Sequence, residues 1–478
     1  MSQNDFFPEF AAKMQAAGIG DAAIRAFRNT YENLTRGRTG LIPENALEPV
    51  TELPALEDVT REKDSSLLGQ SIVIKLNGGL GTSMGLEGPK SLLPIREGLS
   101  FLDFIAKQIL HLRKEHGARV RFLLMNSFNT SSESLAYLQR YPELGSPADL
   151  ELMQGLVPKV DAGTLQPAVW PAAPQLEWCP PGHGDLYPSL LGSGGLNRLL
   201  QEGVRYLFVS NSDNLGASLD LGLLTYFARS NLSFLMEVTE RTDADKKGGH
   251  LARALAGNLL LRESAQCPEA DLASFQNIKR HRFFNTNNLW IRLDHLKEVL
   301  DHHGGLIPLP MIKNQKTVDP RDKTSPAVLQ LETAMGAAIE CFESAGAINV
   351  PRSRFAPVKT TADLLTLRSD AYEVTPDWRL VLAPELNQQP PIVDLDPDYY
   401  KLVEDLEARL LGVPALRSCR HLRVRGPVVF GKHATLKGTV ELSNPTKTDA
   451  LLPDRVYENV SIRLFPGSIE SSSIVDRE

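Results

Sequence analysis

The chain has 478 residues, 42% apolar and 23% charged, with 51 basic against 58 acidic side chains and a net charge of −7. That length exceeds what one hydrophobic core usually serves, so two or three domains are expected. An acidic balance with no run of lysine or arginine argues against nucleic acid or an anionic membrane as the main partner. Any phosphate site must then be a local pocket of positive potential.

Cys179, Cys267, Cys341 and Cys419 form no Cys-x-x-Cys pair and no cluster with histidine, so neither a disulfide framework nor structural zinc is expected. The opening Met1-Ser2-Gln3-Asn4-Asp5 lacks the basic and apolar parts of a signal peptide. No stretch reaches the ~18 apolar residues of a membrane span. A cytoplasmic location is the expectation.

Residues 6–35 read as two amphipathic helices; Ala23, Ile24, Phe27 and Tyr31 recur at helical spacing behind Asp21 at the cap position. Pro43, Pro49 and Pro54 then punctuate a linker, which closes an N-terminal helical segment over 1–65. Ile72-Val73-Ile74-Lys75-Leu76 has the apolar, β-branched texture of a strand buried on both faces of a parallel sheet. It runs into Asn77-Gly78-Gly79-Leu80-Gly81-Thr82, part of a loop with five glycines between positions 78 and 88. Bare backbone amides after a strand are a common cradle for phosphate oxygens, although glycine clusters also make ordinary tight turns. The loop is not a Walker A motif, because Lys90 follows Pro89, and Gly79, Gly81 and Gly85 miss the dinucleotide spacing. Lys90 nevertheless brings a cation to the end of the loop.

Ser100-Phe101-Leu102-Asp103 has the form of a capping box, opening a helix with Phe101, Phe104, Ile105, Gln108 and Leu112 that ends at Gly117. Val120–Met125 is again strand-like, so a βαβ unit and a mainly parallel sheet follow, with ligands beyond the carboxyl ends of the strands. Trp178-Cys179-Pro180-Pro181-Gly182-His183-Gly184-Asp185 fixes an unusual backbone path that suits a ligand-facing loop. The strand Val204–Val209 ends in Ser210-Asn211-Ser212-Asp213-Asn214. Asp213 is placed there either as a Mg²⁺ ligand or as the acceptor of an Asx turn.

Strands at Phe234–Val238 and Leu259–Leu261 bracket Lys247-Gly248-Gly249. Asn285, Asn287 and Asn288 lie inside the apolar strand Phe283–Trp290, where asparagine is depleted. Such amides bond either sugar hydroxyls or neighbouring loops. Leu329–Phe342 reads as a helix with Leu331, Met335, Ala338, Ile339 and Phe342 on its core face. Arg352, Arg354 and Lys359 form an anion clamp in a proline-framed loop, unless the arginines pair with acidic neighbours. Residues 376–417 read as a linker and packing helix. From 418 to 478 short β-prone pieces recur at roughly six-residue steps, like a few turns of a hexapeptide β-helix. Open stacking edges there make this region a candidate for homo-oligomer formation.

KLNGGLGTSMG with GPKS, PPGHGD, LFVSNSDNLGA, FNTNNLW, LETAMGAAI and NVPRSRFAPVK, in that order, resemble the UTP–glucose-1-phosphate uridylyltransferases. This is the UDP-glucose pyrophosphorylase family of the type found in eukaryotes and some bacteria, and the resemblance covers nearly the whole chain. It implies a mixed, mostly parallel α/β sheet of the Rossmann-like nucleotidyltransferase (GT-A-like) kind over 66–375 and a small C-terminal left-handed β-helix. It implies UTP and glucose 1-phosphate as substrates, UDP-glucose and pyrophosphate as products, and Mg²⁺ as cofactor, with no nucleic acid and no membrane.

By position, the resemblance puts Leu76, Asn77, Gly78, Gly79, Gly81 and Thr82 around the nucleotide, and Gln154 with Gly182 on the uracil edge. Lys90 reaches the triphosphate, Asp213 holds the metal with Asn211 beside it, and Lys359 bridges the phosphates in the transition state. His183 falls near the phosphates and glucose; Gly249, Glu263, Asn285 and Asn287 meet the sugar hydroxyls. Two residues depart from the family pattern: His250, where threonine is common, and Arg262, where an aliphatic residue is usual. They leave open an enzyme acting on N-acetylhexosamine 1-phosphate or on several sugar 1-phosphates. A non-catalytic UDP-sugar-binding subunit is the remaining alternative, against which Lys90, Asp213 and Lys359 all argue.

Overall fold

The computed structural model describes residues 5–242, 245–467 and 473–475. Met1–Asn4, which belong to the N-terminal expectation, lie outside the described residues, as does part of the predicted C-terminal region. Ten strands form the central sheet: β1 (Leu47–Pro49), β2 (Ser71–Asn77), β3 (Arg121–Asn126), β4 (Glu151–Met153), β5 (Tyr206–Asn211), β6 (Phe234–Glu240), β7 (His250–Ala254), β8 (Leu259–Arg262), β9 (Phe283–Arg292) and β10 (Ala345–Asn349). Their order runs β1-β7-β9-β5-β2-β3-β4, with β8 beside β7, β6 beside β9 and β10 beside β6. The sheet is mixed. β5, β2, β3 and β4 are mutually parallel, whereas β9 runs antiparallel to β5, β6 and β7.

The parallel half shows why the apolar runs are nearly continuous. Val73 of β2 and Phe208 of β5 enter one hydrophobic cluster, while Ile72, Ile74, Leu207 and Val209 enter another on the opposite face. Successive strand residues point to opposite faces, and here both faces are covered. One cover is helix α3. Its start is the predicted capping box, with Ser100 Oγ accepting from Asp103 N and the Asp103 carboxylate accepting from Ser100 N. It spans Phe101–His116 and ends at Gly117, as the periodicity implied. The N-terminal helices α1 (Phe7–Ala16) and α2 (Asp21–Thr35) also form where expected, although Gly20 rather than Asp21 occupies the cap. Phe10, Phe27 and Tyr31 pack with Met311, Leu329 and Leu331.

That contact explains one failed expectation. Leu329–Phe342 is not a helix but a strand, Ala327–Glu332, followed by 3₁₀ turns over Met335–Cys341. The strand pairs antiparallel with Ile312–Thr317, so strict alternation wins over the i, i+4 pattern. Leu331 faces the N-terminal helices, whereas Met335, Ala338, Ile339 and Phe342 serve the central sheet. The segment read as a linker is also more structured: Leu380–Leu382 pairs with Tyr372–Val374, and short helices cover Pro397–Tyr400 and Val403–Ala408. Ile392–Asp394, within it, pairs in parallel with Ala415–Arg425, and parallel pairing continues through Thr435–Ser443 and Val456–Arg463.

A buried ion pair joins the sheet to the loops at its carboxyl edge. The Arg354 guanidinium donates to both oxygens of Glu237, at 2.8 and 2.7 Å, and Glu237 is fully buried. Trp290 Nε1 and Asn288 Nδ2 donate to the same carboxylate, while Asn214 and Asn288 donate to the Arg354 carbonyl. Arg352 pairs with Asp245 at 2.9 Å. The two arginines therefore do not form an anion clamp; they satisfy acids of the fold, and Asn288 works with them rather than facing a sugar. Removing one partner of such a pair strands a buried charge. Arg354→Met should lower unfolding free energy by about 3–5 kcal/mol in denaturant titration, the usual cost of breaking a buried pair.

Candidate functional site

Three groups of side chains meet beyond the carboxyl ends of the parallel strands. The first surrounds the glycine loop. Gly81 and Gly85 adopt φ of 69° and 78°, the left-handed region that glycine enters at little cost. A side-chain carbon at Gly78 would sit 2.6 Å from Gln154 Oε1, so the bare backbone is what lets the two segments approach. Gln154 Nε2 in turn donates to the Gly182 carbonyl at 3.0 Å. Gly78, Gln154 and Gly182 thus form one surface, with Leu76 at the strand end beside Asn211 and with Gly79 and Thr82 exposed on the loop. Asn77 is the exception. Its amide is buried and donates to Asn126 Oδ1 and Ser134 Oγ, so it shapes the loop from beneath.

The second group is charged. Lys90 Nζ lies 2.6 Å from Asp213 Oδ2 and also donates to the carbonyl of Val358. Residue 358 precedes Lys359, so three segments far apart in the chain converge on one ammonium group. Lys359 itself is exposed, on the wall of a cleft of ≈ 1110 Å³ lined also by Gly248, Phe284 and Arg352. Among the described residues no group of three or more His, Cys, Asp or Glu could hold a metal by itself.

The third group lies along β9 and the turn after β8. Gly249 is buried against Glu263, and any side-chain carbon there would run into the carboxylate. Asn285 Nδ2 donates to Asn287 Oδ1 at 2.9 Å and lies 3.5 Å from Glu263 Oε1. The β6–β9 register shifts at this point and Asn287 takes a φ of 58°, which turns both amides to the same side as Glu263. Burial pushes the Glu263 carboxyl up, opposed by the Asn285 contact and by the charge of Lys359. His183 connects this group to the first: its Nδ1 accepts from Met335 N at 3.0 Å, and a carbon on Gly336 would lie 3.6 Å from Asn285 Nδ2. With Nδ1 as acceptor, the neutral ring carries its proton on Nε2.

Sequence reasoning passed over three supporting residues. Lys75, within the apolar run of β2, is buried and donates to Ser210 Oγ and the Ala217 carbonyl, spanning the base of the Asp213 loop. Burial pulls its pKa down to about 7. Asp185 accepts from Gly155 N and Ser189 Oγ and so ties the Gln154 strand end to the His183 loop; burial pushes it up to about 6. Ser127 Oγ donates to the Gly78 carbonyl. A lone cation in an apolar run and the unassigned aspartate of Gly182-His183-Gly184-Asp185 were the available signals; Ser127 offered none.

A glycine loop, a lysine and an aspartate gathered at the parallel edge of a mixed sheet define a nucleotide-handling α/β enzyme. The family model described as UTP–glucose-1-phosphate uridylyltransferase matches residues 24–437. A probable UTP–glucose-1-phosphate uridylyltransferase of Schizosaccharomyces pombe is 41% identical over 374 residues, 78% of this chain and 73% of that protein. The enzyme of Solanum tuberosum is 40% identical over 417 residues, 87% and 84% of the two chains. A UDP-glucose pyrophosphorylase variant from Leishmania major, solved in complex with UDP-glucose, superposes with a TM-score of 0.93 at 48% identity, covering 97% of this chain and all of that one. The chain belongs to the UTP–glucose-1-phosphate uridylyltransferase family.

Burial holds His183 down at about 4, well below an unperturbed histidine. Its folded-state value lies below its unfolded one, so the unfolded state binds the extra proton between about pH 6.5 and 4. Stability contributed by the neutral ring is present above that window and is lost as pH falls through it. Urea titrations from pH 7 to 4 should show wild type losing stability more steeply than His183→Asn. Parallel slopes would contradict the neutral assignment.

Proposed function

We propose that the chain catalyses UTP + glucose 1-phosphate = UDP-glucose + pyrophosphate in the cytoplasm, with Mg²⁺ as its metal and without a covalent enzyme intermediate. A phosphate oxygen of glucose 1-phosphate forms the new bond to the α-phosphorus of UTP. The α–β bridging bond breaks, and pyrophosphate leaves with its electron pair. The attacking phosphate is already ionised near pH 7, so no general base is required. Both substrates are polyanions, which makes charge neutralisation and alignment the main tasks.

The observation that carries this reading is the meeting of Lys90, Asp213 and Val358, which puts two lysines and a carboxylate at one edge of the sheet. The donor set suits a hard divalent ion, since magnesium needs only one or two carboxylates and takes its other ligands from water and phosphate oxygens. Asp213 would supply that carboxylate, and the bound ion would neutralise charge on the α-phosphate and leaving group. In the free protein the Lys90 ammonium lies against Asp213; once the triphosphate enters, Lys90 turns to it, and Lys359 reaches the phosphates from the opposite side.

Leu76, Gly78, Gly79, Gly81, Thr82 and Asn211 hold the nucleotide through backbone and loop contacts, with Gln154 and Gly182 reading the uracil edge. His183 donates from Nε2 as a neutral group. Gly249, Glu263, Asn285 and Asn287 receive the glucose hydroxyls. His250 and Arg262, the two departures from the family pattern, are buried on the other face of their strands, which supports glucose over N-acetylhexosamine. We assign catalysis to 66–375, support to 1–65 and 376–417, and a left-handed β-helix to 418–478 through which a second copy associates.

Two kinetic outcomes test these roles. Lys359→Ala should lower kcat by about 10²-fold, the scale of one lost charged contact to the transition state; near-normal turnover would remove Lys359 from the mechanism. Gln154→Ala should cut discrimination between UTP and other nucleoside triphosphates by about tenfold, equivalent to one hydrogen bond. Unchanged discrimination would place uracil recognition elsewhere.

A further inference from the structure

On β7 and β8 each strand sends alternate residues to opposite faces. Gly249 and Glu263 meet on the sugar side. The next pair, His250 and Arg262, are register partners on the other side, and both are fully buried. There the Arg262 guanidinium donates to Glu44 Oε2 at 2.7 Å and lies 3.5 Å from Asp271 Oδ2. The second oxygen of Glu44 accepts from Arg280 at 2.6 Å and from His281 Nε2 at 3.0 Å. Phe275 roofs the cluster, 5.6 Å from Arg262, 5.5 Å from Arg241 and 4.9 Å from the His250 ring, which itself stacks on His281 at 3.9 Å. Arg241, Arg262 and His281 therefore act on the His250 ring, while Glu44, Asp271 and Arg280 complete the charged cluster around Arg262.

Glu44 belongs to the N-terminal segment, far from the sugar residues in sequence. Its neighbourhood reaches Glu263 by a short route. Glu44 N donates to Asp271 Oδ2 and Ile42 N donates to the Gln266 carbonyl, both at 2.7 Å. Gln266 Oε1 accepts from Glu263 N at 2.8 Å. Leu47 of β1 continues the grip by pairing with Ala254 of β7. The turn carrying Glu263 is thus held from behind at two points, through Arg262 and through Gln266, and both lead to residues 42–44. An aliphatic side chain at position 262 could not bond Glu44.

We propose that Arg262 and Glu44 are positioning residues of the sugar subsite: their ion pair clamps the N-terminal segment to the back of the β7–β8 hairpin and sets where Glu263 and Gly249 meet the hexose. This deepens the function proposed above and rests on its placement of Glu263 at the sugar. A clamp of this kind acts on the sugar 1-phosphate and leaves the distant uridine surface untouched, which separates it from general stabilisation.

Steady-state kinetics on the full chain test it, with UTP and with glucose 1-phosphate, galactose 1-phosphate and N-acetylglucosamine 1-phosphate. Arg262→Leu should raise KM for glucose 1-phosphate about tenfold, the scale of one lost charged hydrogen bond. KM for UTP should change less than twofold, and preference for glucose should fall. Arg262→Lys should recover part of the loss. Glu44→Gln, a milder change that keeps the fold if Arg262→Leu does not, should shift KM in the same direction. The double variant should be no worse than the poorer single one, because the residues act as one unit. Unchanged KM values, or equal rises in both with a lowered Tm, would overturn the proposal and reduce the pair to a structural support. Glu263→Gln distinguishes the two levels. If it raises KM for glucose 1-phosphate while the Arg262 and Glu44 variants do not, the clamp alone is wrong. If it also leaves that KM unchanged, the sugar-site assignment falls and the clamp with it.

Discussion

The contact of Lys90 with the Asp213 carboxylate and the Val358 carbonyl is what makes one site out of distant stretches of chain. Each partner ends a different structural unit: the glycine loop after β2, the turn after β5 and the loop that carries Lys359. An ammonium beside a carboxylate is a stable resting state for charges that, in the proposed reaction, later serve two polyanions. The same groups can exchange partners without rebuilding the fold. In the proposed reaction, attraction within the protein gives way to attraction to phosphate and metal, so the cleft is not left as a patch of unbalanced positive charge before substrates arrive.

Rigidity beneath that contact comes from buried polar groups that reach inward to one another. Arg354 and Glu237, with Asn214, Asn288 and Trp290, fasten the loop of Lys359 to the sheet. Lys75 fastens the turn of Asp213 to β2. A second buried network around Glu44 lies behind Gly249 and Glu263. In each case an ion or amide leaves the substrate face and reaches inward, where low dielectric makes a satisfied bond stiff and an unsatisfied one costly. Arg354 and Arg262 hold loops from within, and Lys90 and Lys359 are the cations that the proposed reaction turns to the phosphates.

Much of this was legible in the residues. The two-faced strand β2, the capping box of α3, the glycine loop and Asp213 at the end of β5 are local signals, and local signals survive folding. What the pattern could not resolve depended on partners distant in sequence. Leu329–Glu332 alternates too briefly to exclude a helix, and only pairing with Ile312–Thr317 decides the matter. Arg352 and Arg354 look like an anion clamp until Asp245 and Glu237 arrive from other strands. His250 and Arg262 seem to threaten sugar recognition because they adjoin Gly249 and Glu263, yet strand alternation sends them the other way. Asn77 belongs to the glycine-loop motif, and only the folded chain shows its side chain bracing that loop through Asn126 and Ser134.

The electrostatic centre of the account is tested most directly by Mg²⁺ dependence. Turnover of UTP and glucose 1-phosphate would be measured across magnesium concentration for wild type and Asp213→Asn. Asp213→Asn should lose about 10²-fold or more in turnover, as expected for removal of a charged active-site group, and should need far more magnesium for what remains. Turnover and half-saturation by magnesium both within twofold of wild type would contradict it.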